Sequence, residues 1–186
     1  MYLLNTKYII LPGADQPLPL VGALGAAWFT DSIHWVDDAE SEITAIRNVD
    51  LASTAIIHKE FESEITSLSI PDVNVPSANI SDVSLTHYHP DGSTYEVNCE
   101  KDGVVVFSEV WYPEGWKAKV DGKEVPLIRA NYILRALPIK AGTHTVELSF
   151  EPSDRKLAGL ASGLGSLILL LFLLSMSYLA YRKSVD

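Results

Sequence analysis

Three groups of residues in this chain carry chemistry-bearing side chains at suggestive spacings. The first is aromatic and cationic: Trp111, Tyr112 and Trp116, followed by Arg129, Asn131, Tyr132 and Arg135. Aromatic faces stack on the C–H faces of sugars, while guanidinium and amide groups hydrogen-bond hydroxyls, so these types together suit a carbohydrate contact surface. A structural account competes with it. Trp116 and Tyr132 also fit alternating core-facing strand positions, and Trp111-Tyr112-Pro113 fits a stiff strand end.

The second group is His87-Tyr88-His89, which puts two imidazoles on one strand face at a spacing that suits a metal. No third ligand accompanies them, and Pro90-Asp91-Gly92 turns the chain at once. Packed or solvated histidines explain the pattern better, so no metal is expected. The third group is acidic: Asp37-Asp38, and Glu60 with Glu62 and Glu64. Glycoside hydrolysis needs two carboxylates roughly 5 to 9.5 Å apart across the scissile bond. Asp37 is better explained as a helix N-cap and the glutamates as a solvated strand face. No glycine-rich phosphate loop follows a strand, and no Ser/His/Asp or Cys/His arrangement stands out. The expectation is no catalytic residue and no cofactor.

The elements that must position these residues are mostly short strands. Tyr8 to Leu11 reads as a strand stopped by Pro12-Gly13, and Pro12 to Pro19 as a connector. Ala26 to Thr30, Ile33 to Val36 and Ala55 to Ile57 are strand candidates. Between the last two, Asp37 and Glu40 have capping-box spacing, and Ala39, Ile43 and Ile46 follow at helical intervals, so a short amphipathic helix should run to about Arg47. From Ile80 the period changes to two. Val83, Leu85 and His87 share a face, Tyr95 and Val97 alternate, and Val104 to Val110 is apolar on both faces like a central strand. Trp116, Ala118 and Val120 lead into Asp121-Gly122, a type I′ hairpin signal because both turn positions need positive φ. Val125 and Leu127, then Tyr132 to Leu137, then Val146, Leu148 and Phe150 complete the set. Short strands separated by turns, without long helices, predict a mainly β fold: an antiparallel β-sandwich preceded by a short N-terminal α/β segment.

The chain has 186 residues and a formal net charge of −10. Of its 14 basic and 24 acidic residues, two and one lie beyond residue 181, leaving 12 against 23 and a charge of −11 in residues 1–156. So acidic a region is a poor partner for nucleic acid or anionic lipid. The single cysteine, Cys99, excludes an internal disulfide and a cysteine-built zinc cluster.

From Leu157 to Tyr181 the chain runs 25 residues without a charge. As a helix this spans about 37 Å, enough to cross a hydrocarbon core of about 30 Å with some tilt. Tyr178 and Tyr181 lie where an interfacial aromatic belt would. Gly159 with Gly163, and Ser162 with Ser166, form small-xxx-small pairs that let a second membrane helix approach closely. Flanking charge does not orient the span, because Arg155 and Lys156 balance Arg182 and Lys183. The N-terminal residues lack the basic and apolar regions of a signal peptide. The expectation is either a tail-anchored protein or the C-terminal piece of a longer membrane protein.

One stretch resembles a known family. Val106-Phe107-Ser108-Glu109-Val110-Trp111-Tyr112-Pro113-Glu114-Gly115-Trp116-Lys117-Ala118 precedes Asp121-Gly122-Lys123-Glu124-Val125-Pro126, Arg129-Ala130-Asn131-Tyr132 and Ala141-Gly142-Thr143-His144, and the apolar helix comes next. This is similar to the C-terminal end of the bacterial YfhO-type membrane proteins, and Leu4 to Ile10 and Ala27-Trp28-Phe29 are similar to the same family's extracytoplasmic region. The resemblance implies a polytopic parent thought to transfer lipid-linked sugars onto cell-envelope polymers, in the bacterial plasma membrane, with the sandwich outside the cytoplasm. The family's catalytic bundle has no counterpart here.

The expected organisation is an α/β segment at 1–79, the sandwich at 80–156, the membrane helix at 157–181 and a short tail at 182–186. The expected function is a non-catalytic accessory domain and membrane anchor of a YfhO-like glycosyltransferase, with lipid and other membrane helices as partners. The alternative is a self-contained, membrane-anchored carbohydrate-binding module using the residues from Trp111 to Arg135, with cell-envelope glycan as partner.

Overall fold

The computed structural model describes residues 2–13, 16–66, 68–71, 81–152 and 154–185. The chain divides into two units, Met1–Phe150 and Glu151–Asp186.

The described residues of the first unit form thirteen strands. A small ribbon pairs β1 (Tyr8–Ile9) with β2 (Leu18–Pro19). Proline content keeps both strands at two residues, shorter than the expected Tyr8 to Leu11, because proline cannot donate to a ladder. A five-stranded sheet has the order β10 (Lys123–Val125), β9 (Trp116–Val120), β13 (Gly142–Phe150), β7 (Gly92–Cys99), β6 (Asp82–His89). A six-stranded sheet has the order β3 (Ala27–Thr30), β8 (Gly103–Val110), β12 (Leu134–Ile139), β11 (Ile128–Ala130), β5 (Thr54–His58), β4 (Ser32–Val36).

The two sheets share one apolar layer. Phe29, Val105, Phe107, Leu137 and Ile139 of the larger sheet cluster with Tyr95, Val97, Ala118, Val146 and Leu148 of the smaller one. This is the expected mainly β sandwich. Burying each such large side chain stabilises the fold by about 1.5–3 kcal/mol. The opposite face of the larger sheet carries a second cluster, including Trp28, Ile57, Val106, Ile128 and Leu134, sealed by Ile65. Val104 to Phe107 are fully buried, consistent with their apolar character on both faces.

The N-terminal α/β segment is not an appendage. Strands β3, β4 and β5 precede residue 80, yet they complete the six-stranded sheet with β8, β11 and β12. Strand β4 pairs with β5 in parallel, and α1 (Ala39–Ile46) makes the crossover, so one βαβ unit sits in a sandwich whose other pairings are antiparallel. A parallel pair requires such a connection.

Helix α1 departs from the sequence reading in two ways. Its N-cap is Asp38, whose carboxylate accepts from the Ser41 N–H at 2.8 Å. Asp37, the expected cap, pairs instead with Lys59 at 2.9 Å. The buried residues are Glu42 and Ala45, whereas Ile43 is 40% exposed. Residues Glu60, Glu62 and Glu64 lie on a 3-10 turn and the short helix α2 (Glu62–Ile65) rather than on a strand.

The Asp121-Gly122 hairpin forms as expected. Val120 pairs with Lys123, and φ is +51° and +78° at the two turn residues. Asp121 is fixed further by Thr145 N–H at 2.9 Å and by His144 at 2.7 Å. Asn131 and Tyr132 also have positive φ, +50° and +73°. They form the β11–β12 turn, so Tyr132 is a turn residue and not a strand residue facing the core.

The second unit is one helix, α3 (Asp154–Val185). Its segment Gly159–Leu179 is long and apolar enough to cross a membrane, and its described side chains lie exposed to the surroundings.

Candidate functional site

The seven aromatic and cationic residues from Trp111 to Arg135 separate into distinct environments. Arg135 belongs to the sandwich interior. It pairs across the ladder with Phe107, and the register slips here: Leu134 faces Val110 while Arg135 faces Phe107, leaving Ser108 and Glu109 as extra residues on β8. A bulge of this kind re-aims the side chains it carries. Ser108 is tied to Gly25 O at 2.6 Å, and Glu109 accepts a hydrogen bond from Arg135 Nη1.

The Arg135 guanidinium also lies 3.6 Å from the centroid of the Trp116 ring, which belongs to the other sheet. A cation over an indole face is attracted by the ring quadrupole, more strongly when desolvated. Burial pulls the Arg135 pKa down from its ordinary value, opposed by the Glu109 charge. Phe150 packs against Trp116 at 5.2 Å between centroids. Trp116 is thus enclosed by Arg135 and Phe150.

Beside this pair is a cleft of about 430 Å³, lined among others by Asn5, Tyr88, Ser93, Tyr95, Glu109 and Trp116. Its size is that of a small-molecule pocket. Tyr95 packs on Phe107 at 5.0 Å, and burial raises the pKa of its phenol. Ser93 is 5% exposed, and its Oγ, which lies beside the Tyr95 phenol, makes no close hydrogen bond; nor do Asn5 Oδ1 and Arg135 Nε. Each unpaired buried group costs about 1–3 kcal/mol. Of this lining only Trp116 was singled out above for sugar contact. Ser93 and Glu109 have no local sequence signature, because the bulge and the sheet packing bring them together.

Arg129, Asn131 and Tyr132 form a second cluster, directed to the βαβ unit. Asn131 clasps β5: its Oδ1 accepts from Ile56 N–H at 2.9 Å, and its own N–H donates to Ile56 O at 2.8 Å. Tyr132 N–H donates to Glu42 Oε1 at 2.7 Å, and Arg129 lies 3.5 Å from Glu42 Oε2 and 3.6 Å from Glu60. Glu42 is fully buried. Residues 42, 45, 46 and 49 share helical spacing, which is the signal that places Glu42 on the inward stripe. These groups bind the crossover helix to the sandwich.

Trp111 and Tyr112 stand apart from both clusters. Trp111 packs edge-on against Phe61 at 6.1 Å, and Tyr112 is 52% exposed. The sequence groups these seven residues, but the structure joins only Trp116 with Arg135 and Arg129 with Asn131 and Tyr132.

His87 and His89 are both exposed, and among the described residues no three His, Cys, Asp or Glu side chains are grouped to hold a metal ion. Asp102 accepts from Ala141 N–H at 2.9 Å and Ser69 N–H at 3.1 Å, and the first of these bonds chiefly lowers its pKa. Cys99 is buried, which raises its pKa, and its thiol donates to Lys140 O at 3.2 Å.

In α3 the expected packing residues Gly159, Ser162, Gly163 and Ser166 are all exposed, and no neighbour lies within 4 Å of a Cβ built on either glycine. Ser166 Oγ donates back to Ser162 O at 2.9 Å, so the hydroxyl is satisfied within the helix itself.

Residues 72–161 match the family model described as bacterial membrane protein YfhO, a stretch just under half of the chain. The resemblance seen in the motifs holds over these residues. No curated protein and no solved structure matches the chain.

Proposed function

We propose that this chain is the membrane-anchored, extracytoplasmic accessory module of a YfhO-type glycosyltransferase system, and that it is not itself the catalyst. One observation carries this reading. The family match runs from the segment before β6 through β13 to residue 161, so strands β6 to β13 and the start of α3 fall within one family unit, while β3, β4, β5 and most of the apolar span lie outside it. The fate of the charged residues supports the same reading. Glu42, Glu109, Asp37, Asp102 and Asp121 each hold a cation or a backbone N–H, which is the chemistry of positioning and not of a carboxylate pair poised across a bond.

In this role the sandwich packs against, or presents acceptor to, a catalytic membrane bundle, while the small residues of α3 face the helices of that bundle. The test is orientation. A single cysteine replacing the exposed Glu114, in a Cys99→Ser background, is expected to react with a membrane-impermeant maleimide in intact cells, and a fluorescent-protein fusion after Asp186 is expected to glow in the cytoplasm. Labelling only after lysis would overturn the extracytoplasmic assignment.

A further inference from the structure

We propose that the cleft beside Trp116 is a binding site for one neutral pyranose unit. The proposal deepens the accessory reading by giving the module an acceptor glycan to hold.

The cleft is large enough for a small ligand, about 430 Å³, and it is amphipathic. Tyr88, 67% exposed, offers the aromatic face for stacking, because Trp116 is already packed by Arg135 and Phe150. A ring of C–H groups bordered by hydroxyls matches such a surface. Beside it, its ladder partner Ser93 is nine-tenths buried, and the Ser93 hydroxyl, next to the Tyr95 phenol, makes no close hydrogen bond. Asn5 Oδ1 is a second unpaired acceptor in the same lining. A hydroxyl both donates and accepts, so a polyol satisfies Ser93 and Asn5 together, as an apolar ligand does not.

Charge selects among sugars. The lining carboxylate, Glu109, is already neutralised by Arg135, so the cleft holds no uncompensated charge to attract an ammonium group. The acidic surroundings, at −10 for the whole chain, disfavour uronic acids and phosphorylated sugars. A neutral pyranose is what remains.

The test uses the full chain in lipid nanodiscs, which avoids detergents with sugar head groups. Glucose, galactose, N-acetylglucosamine and their disaccharides serve as probes, with glucosamine and glucuronic acid as charged controls. Saturation-transfer NMR is expected to show transfer to at least one neutral sugar. Tyr88→Ala and Ser93→Ala are each expected to weaken that binding by at least about fivefold, with the near-UV circular dichroism of the sandwich preserved. Tyr112→Ala is expected to leave it unchanged. No transfer from any neutral probe, equal binding in the Tyr88 and Ser93 variants, loss of binding in Tyr112→Ala, or preference for a charged sugar would each overturn the site. Maleimide labelling tests orientation independently, so failure of the site and failure of the accessory role are distinguishable.

Discussion

Arg135 lies over the ring of Trp116, on the opposing sheet, while it donates to Glu109 on its own sheet. One guanidinium therefore ties the two layers together at a point where an apolar side chain would ordinarily sit. Arg135→Ala leaves Glu109 without its cation and Trp116 without a cover, and is expected to destabilise the sandwich by about 3 kcal/mol. Arg135→Met with Glu109→Leu is expected to restore most of that loss, because the desolvation of both charges disappears with them. Urea titration of the two variants, followed by tryptophan fluorescence, checks both values.

Glu42 anchors a strained turn. Its Oε1 accepts from the N–H of Tyr132, a non-glycine residue at φ +73°. Glu42→Ala removes that acceptor and the partner of Arg129, and is expected to cost about 2 kcal/mol, lowering the melting temperature by roughly 4–8 °C. Glu42→Gln keeps an acceptor and is expected to lose less. Thermal melts of the pair check the order.

Two glycines separate backbone strain from crowding. Gly122 has φ +78°, and nothing lies within 4 Å of an added Cβ, so Gly122→Ala is expected to cost about 1 kcal/mol through backbone conformation alone. At Gly103 an added Cβ collides with the Phe29 ring and Thr30 O. Gly103→Ala is expected to cost more than about 3 kcal/mol, like other overpacked core sites. Chemical denaturation of the two variants side by side reads the difference.

The response to acid follows from Asp102 and Asp121. Hydrogen bonds, chiefly from Ala141 N–H and His144 respectively, hold both pKa values below the ordinary carboxylate value. Such groups contribute stability above the unfolded value of about 3.9, and that contribution is lost as pH falls through the lower folded value. The melting temperature is expected to hold between neutral pH and about pH 5 and to decline below it. With both residues changed to asparagine the decline should be shallower, which a melting series against pH measures.

The anchor makes a separate prediction. Leu170→Arg places a charge near the middle of the apolar span and raises the insertion cost by roughly 3 kcal/mol. Alkaline carbonate extraction is expected to release this variant while Leu170→Ala stays in the membrane fraction.

What the sequence made legible follows periodicity. The alternation of Val146 and Leu148, the two-sided apolar run Val104 to Phe107, the Asp121-Gly122 turn and the apolar helix are all local patterns, and each occurs where expected. The misread features depend on distant partners. Glu42 faces inward because Tyr132 and Arg129, some ninety residues away, meet it there. Ser93 and Glu109 line one cleft only because a register slip and two sheets converge on it. Tyr132 resembled a strand residue until Asn131 and Ile56 fixed it in a turn. A grouping by sequence proximity, such as Trp111 through Arg135, carries little information about which side chains meet.

The chain order within the six-stranded sheet has a consequence for biosynthesis. Strands β3, β4 and β5 lie between residues 27 and 58, but β8, β11 and β12, which complete their sheet, follow only between residues 103 and 139. At about 5–20 residues per second, the early strands wait several seconds with unpaired edges and bare apolar faces. Until then the early strands have no second layer over their apolar faces, and that interval is when wrong strand pairing competes most with the native sheet.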